Sequence, residues 1–157
     1  MAALGSMWSW WRGVLGLGLL GIVLPAAGEQ ADKPAGPEWV VPSEERARAN
    51  PVPASAEAMR KGRFLYQRHC GMCHGEKGKA DGPAARLHAQ RSHRQVKDLT
   101  EPAVQAGMTD GEIFSKITTG FREGDRIIMP TFVREIPAEE DRWKLVHFVR
   151  SFGKPQG

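Results

Sequence analysis

The chain has 157 residues, 41% of them hydrophobic, and a formal net charge of +4 from 22 basic and 18 acidic side chains. So small an excess of positive charge cannot steer association strongly unless it is clustered. With only two cysteines in the chain, a four-ligand zinc site has no second cysteine pair to complete it.

The N-terminus reads as an export signal. Met1 to Trp11 contains no acid, Arg12 adds a positive charge, and Gly13 to Leu24 is an apolar run of twelve residues. That length suits a signal peptide and falls short of the roughly 20 residues of a membrane span. Small residues at Ala26 and Gly28 are placed for cleavage before Glu29. Trp8, Trp10 and Trp11 also suit an uncleaved anchor at the membrane interface, and Met7 is an alternative start. Residues 1–28 are therefore expected to be a signal peptide or a membrane anchor through residues 13–24. The rest of the chain is then periplasmic, or on the extracytoplasmic face of the membrane. Cleavage would remove only Arg12 among the charges, leaving 21 basic against 18 acidic residues, a net +3.

Residues 29–54 are expected to form a flexible arm. Pro34, Pro37, Pro42, Pro51 and Pro53 punctuate it, and Glu44, Glu45, Arg46 and Arg48 make it polar. Such a segment buries too little apolar surface to offset its ordering entropy. Trp39, Val40 and Val41 are the exception and are candidates for docking on the domain or on a partner. The folded domain is expected over 55–153, with 154–157 as a tail.

A first helix is predicted from Ser55, an N-cap, carrying Met59, Gly62, Tyr66 and His69 on one face. Gly62 costs about 1 kcal/mol relative to alanine in mid-helix, which suggests a close crossing there. The helix leads into Cys70-Gly71-Met72-Cys73-His74-Gly75. Two thiols three residues apart suit a metal, a redox disulfide or the two vinyl groups of a haem. The histidine directly after the second thiol favours haem, since attachment at Cys70 and Cys73 brings the His74 imidazole beneath the iron. A thioredoxin-like dithiol needs strands that the sequence does not show, and His69, His88, His93 and His147 have no paired zinc-type spacing.

From Gly82 to Lys97 there is no acid, while Arg86, Arg91, Arg94 and Lys97 are basic, with Lys77 and Lys79 just upstream. This segment is either a solvated loop or a docking face for an acidic protein partner. A haem motif, an export signal and sparse aromatics argue against nucleic acid. A second helix is predicted from the capping box Thr109-Asp110-Gly111-Glu112 to Gly120. A third runs from about Pro137, with Glu139, Glu140 and Asp141 in its first turn, to Arg150 and Gly153. No alternating strand pattern is present, so the domain is expected to be all-α.

In this order, these elements resemble the small monohaem class I cytochromes c over roughly Ala58 to Phe152. Gly62 and Tyr66 stand eight and four residues before Cys70, and Phe148 matches the aromatic that the family packs against its N-terminal helix. The resemblance implies three or more helices around one covalently bound haem c. It implies that the Pro83 carbonyl, in Gly82-Pro83-Ala84-Ala85, accepts the Nδ1 proton of His74. Met129, 55 residues after His74 and followed by Pro130, is similar to the family's distal iron ligand. Met108 is the rival, more simply an apolar contact beside the capping box, and Met59 and Met72 read as packing residues. His88 and His93 depart from the family pattern and leave open a bis-histidine iron or a second metal.

The function implied is single-electron transfer between protein redox partners, not catalysis, with His74 and Met129 filling both axial positions. Two alternatives remain. One is a fixed haem subunit of a larger membrane oxidoreductase. The other, with Met129 unbound, is a five-coordinate haem sensor or small peroxidase.

Overall fold

Two long helices form the frame on which everything else is hung. α2 (Ala56–His69) is capped as the sequence predicts: the Ser55 hydroxyl accepts the Ala58 N–H at 3.1 Å. It buries Ala58, Gly62, Leu65 and Tyr66, a stripe of helical period. α7 (Glu139–Ser151) crosses this face with Trp143, Leu145, Val146, Phe148 and Val149 buried. The crossing falls at Gly62, where a Cβ would lie 2.3 Å from the Lys144 carbonyl oxygen and 2.9 Å from the Phe148 Cβ. Tyr66 then sits tilted against Phe148 and edge-on to Phe152, at centroid distances of 5.3 and 5.0 Å.

This computed structural model describes residues 39–154, all within the unit Pro34–Gly157. The expected signal or anchor, residues 29–38 of the arm and residues 155–157 of the tail lie outside the described residues. Among the described residues no helix is long and apolar enough to cross a membrane.

α6 (Asp110–Thr119) also starts where predicted, the Thr109 hydroxyl accepting the Glu112 N–H at 3.1 Å. The Glu112 carboxylate turns instead to Lys116 at 3.4 Å and Arg46 at 3.6 Å. Phe114 of α6 stacks on Trp143 of α7 at 4.1 Å, completing a core that also holds Leu99, Ile113, Ile117 and Ile136. α7 begins two residues later than expected, because Arg142 is buried and holds the carbonyls of Ile136 and Pro137.

From Trp39 onward the arm, expected to be flexible, packs against the domain. It forms α1 (Ser43–Arg46) and lies along α6 and α7. Arg48 pairs with Glu45 and Glu139 and places its guanidinium over the rings of Phe114 and Trp143. Asn50 donates to the Trp143 carbonyl at 3.0 Å, and His147 Nε2 donates to the Val52 carbonyl at 2.6 Å. Gly111 admits the arm's backbone, since a Cβ there would lie 2.0 Å from the Glu45 carbonyl oxygen. Composition alone suggested disorder because the ordering comes from specific polar pairings rather than from buried apolar area. Val41 is buried and Trp39 stacks on Phe121 at 5.0 Å, so these two dock on the domain itself, whereas Val40 is exposed.

Four more elements went unread in the sequence: α3 (Gly71–His74), α4 (Ala85–Ser92), α5 (Pro102–Ala106) and an antiparallel hairpin of β1 (Phe121–Glu123) and β2 (Arg126–Met129). The first and third are single turns, and α4 buries only Ser92, so none shows an apolar period. The hairpin is the only strand structure among the described residues. It turns through Gly124 at φ +58°, with a bulge between Phe121 and Arg122.

Candidate functional site

The site begins with one turn of helix. Cys70 ends α2 and its carbonyl accepts the N–H groups of Cys73 at 3.1 Å and His74 at 2.9 Å. This turn, α3, places Cys73 and His74 three and four residues beyond Cys70, on one face. Both cysteines are free thiols. Burial pushes the Cys70 thiol up to about 12 and raises that of Cys73 too, so both stay neutral at pH 7.

His74 Nδ1 lies 3.1 Å from the carbonyl oxygen of Lys97. A carbonyl can only accept, so the proton resides on Nδ1 and the Nε2 lone pair is left for a metal. Burial lowers the pKa of the imidazole, opposed by the Lys97 bond and assisted by nearby His88, which favours the neutral, ligating form. Two neutral thiols and an imidazole of fixed tautomer on one helical face are the donor set that a covalently attached haem requires.

Lys97 takes the position expected for Pro83, and the reason is local packing. A Cβ at Gly82 would lie 2.4 Å from the Met72 carbonyl oxygen, and the Ala84 N–H donates to that same oxygen at 2.8 Å. Gly82 and Ala84, on either side of the exposed Pro83, are thus packed against α3, and the segment leads straight into α4. The chain returns at residues 97–99, where the Leu99 N–H donates to the Gly78 carbonyl at 2.7 Å. That return presents Lys97 to the ring. A backbone carbonyl leaves no side-chain signature, so nothing in the sequence marked Lys97. The Tyr66 hydroxyl supports the turn from behind, donating to the Gly75 carbonyl at 2.8 Å.

Met129 ends β2, half-buried and packed against the core cluster. Gly120, read in the sequence only as a helix stop, has a second task. At φ +63° it lies directly behind this segment, where a Cβ would sit 2.6 Å from the Met129 carbonyl oxygen and 2.5 Å from the Thr131 nitrogen. Thr131 Oγ1 donates to the Thr118 carbonyl at 2.6 Å and the Phe132 N–H to the Ile117 carbonyl at 3.1 Å. Met129 and Pro130 are therefore held by the C-terminal end of α6. Met108 is committed elsewhere: its sulfur accepts from Lys116 Nζ at 3.6 Å and its carbonyl from Arg150 at 2.5 Å.

The remaining candidates separate clearly. Met59 packs on the core, whereas Met72 is 56% exposed, which corrects its reading as a packing residue; it points outward from α3 between the two cysteines. His69 meets the edge of Phe132, and His93 is the left-handed cap of α4 at φ 56°. Among the described residues no group of three or more His, Cys, Asp or Glu side chains is gathered to hold a separate metal ion. Half of the acid-free segment is α4. Lys77, Lys79, Arg86, Arg91 and Lys97 are exposed, but Arg94 is drawn inward to the buried Glu123.

Helices enclosing a two-thiol, one-histidine turn define a c-type cytochrome. Residues 57–149, more than half of the chain, match the family described as Cytochrome C oxidase, cbb3-type, subunit III, and the chain belongs to that family of cytochrome c domains. Its cofactor is accordingly a covalently bound haem c, a group that serves haem-based electron transfer.

Among solved structures, the chain is similar to a component of the Kuenenia stuttgartiensis reducing HAO-like protein complex. The identity is 24%, over 68% of this chain and 50% of that one, with a TM-score of 0.52. The chain thus spans half the length of that neighbour, and the likeness is one of fold. A c-type cytochrome designated KustC0563 aligns at 27% identity over 59% of this chain and 98% of that one, with a TM-score of 0.47. No curated protein sequence matches the chain.

Proposed function

We propose that this chain is an exported single-haem electron carrier in which Cys70 and Cys73 form the two thioethers and His74 and Met129 ligate the iron. The observation that carries the reading is the turn α3, which aligns both thiols with an imidazole whose Nδ1 is bonded and whose Nε2 is free. Cys70 and Cys73 would hold the haem through thioethers, each thiol supplying its sulfur to one vinyl carbon and its hydrogen to the other, with no net oxidation. When bound, haem supplies an iron that takes up and releases one electron. The protein keeps His74 oriented through Lys97 and presents Met129 on a segment stiffened by Pro130. Thioether sulfur prefers ferrous iron, so this ligand pair supports a relatively high potential. Residues 1–28 are read as the signal or anchor that carries the domain across the membrane.

Attachment is tested directly. Acid and organic solvent should leave haem on the purified protein, and its intact mass should exceed the processed chain by one haem. A colourless product with two titratable thiols, made in a strain with a working maturation system, would refute the reading.

Partner docking is assigned to the exposed basic face of Lys77, Lys79, Arg86, Arg91 and Lys97, which suits an acidic donor or acceptor. The second-order electron-transfer rate should then fall as salt rises, since screening acts over about 10 Å at 0.1 M. Reversing Arg86 and Arg91 to Glu should slow the reaction at low salt and leave the spectrum unchanged. A rate indifferent to both treatments would make this face merely solvated. A second reading is favoured by the family description, which names an oxidase subunit: the chain is fixed in a membrane oxidoreductase. Co-purification with other subunits in mild detergent distinguishes that arrangement from a free shuttle.

A further inference from the structure

Glu123 closes β1 with its side chain only 4% exposed. One carboxylate oxygen accepts from the Arg94 guanidinium, and the other accepts from Arg126 Nη2 at 3.0 Å. Arg126 also donates through Nη1 to the carbonyl of Ser92 at 3.2 Å. Ser92 is the last residue of α4 and is itself buried; its hydroxyl accepts the Arg94 N–H at 3.2 Å and donates to the Arg94 carbonyl at 3.1 Å. Two guanidiniums and one carboxylate thus clamp the turn of the hairpin to the C-terminal end of α4, where the helix dipole favours cations.

The location gives this clamp more than a packing role. The N-terminal end of α4 is fastened to the haem-motif turn through Gly82 and the bond from Ala84 to Met72. Arg126 opens β2 and Met129 ends it. A continuous path therefore runs from α3 along α4, through Arg94, Glu123 and Arg126, and down β2 to Met129. A buried carboxylate that loses one of its partners is strongly penalised, so the clamp has a sharply preferred geometry.

We propose that Glu123, with Arg94 and Arg126, is a positioning group that sets how firmly the Met129 sulfur engages the iron; the proposal rests on the reading of Met129 as distal ligand. The test is a titration of the ferric holoprotein with imidazole, following loss of the weak long-wavelength band that marks sulfur on ferric iron. Glu123→Gln makes the cluster one charge more positive, and Arg126→Gln makes it one charge less so. Both loosen the clamp, so both should tighten imidazole binding about tenfold, equivalent to about 1.4 kcal/mol of weakened sulfur ligation. Arg126→Lys should recover part of the loss.

Opposite shifts in the two glutamine variants would mean that the cluster acts only through its charge. Lowered unfolding midpoints with unchanged imidazole affinity would mean that it is only structural; either result overturns the proposal alone. A wild-type protein without the band would overturn this inference and the Met129 assignment together. Should Glu123→Gln fail to fold, Arg126→Gln, at a side chain 44% exposed, decides the matter.

Discussion

Met129→Ala should abolish the long-wavelength band of the ferric protein and lower its reduction potential, while Met108→Ala leaves both nearly intact. The contrast follows from where the two sulfurs are held. Met129 stands at the end of β2 on a segment whose backbone is gripped by Gly120, Thr118 and Ile117, so removing its side chain leaves the frame in place. On the proposed ligation, what is lost is a soft ligand that prefers the reduced iron. A drop on the order of 0.1 to 0.3 V is expected, within the roughly 0.8 V that axial-ligand choice spans. The Met108 sulfur faces the Lys116 amine, and its contribution is packing beside α6. A band that survives in Met129→Ala and vanishes in Met108→Ala would reverse the assignment.

Gly62→Val should cost about 3 kcal/mol, the upper end of the usual range for overpacking, because the obstructing atom is a backbone carbonyl that cannot rotate away. That is a large share of the 5 to 15 kcal/mol typical of a folded domain. Gly62→Ala makes the sharper comparison. Helix propensity alone predicts a gain of about 1 kcal/mol. The 2.3 Å approach to the Lys144 oxygen predicts a loss. Denaturant midpoints of the holoprotein decide between them, and a rise in Gly62→Ala would show that α2 and α7 separate at that point.

Features encoded within a few neighbouring residues were legible without a structure. Ser55 and Thr109 cap the helices they precede, Gly120 stops α6, and the spacing of Cys70, Cys73 and His74 is itself the geometry of one helical turn. Gly62 was readable for a similar reason, since a glycine inside a helix is unfavourable unless something crosses there. Pairings between distant parts of the chain were not legible. The arm's proline and charge content said disorder, yet Asn50 reaches Trp143 and Val52 reaches His147 across more than ninety residues. Arg94 belonged by composition to a basic docking face, and only the fold gave it the buried Glu123 as partner. Pro83 was the expected acceptor for His74, and the close packing of Gly82 on α3 moved that role to the carbonyl of Lys97. Sequence by itself determined the chemistry of the haem-attachment turn and the helices that frame it, because backbone geometry over four residues follows from local spacing and capping. The arm, the hydrogen bond that orients His74 and the clamp behind Met129 were decided by tertiary structure, because each depends on backbone carbonyls and buried charges brought together only when remote segments pack.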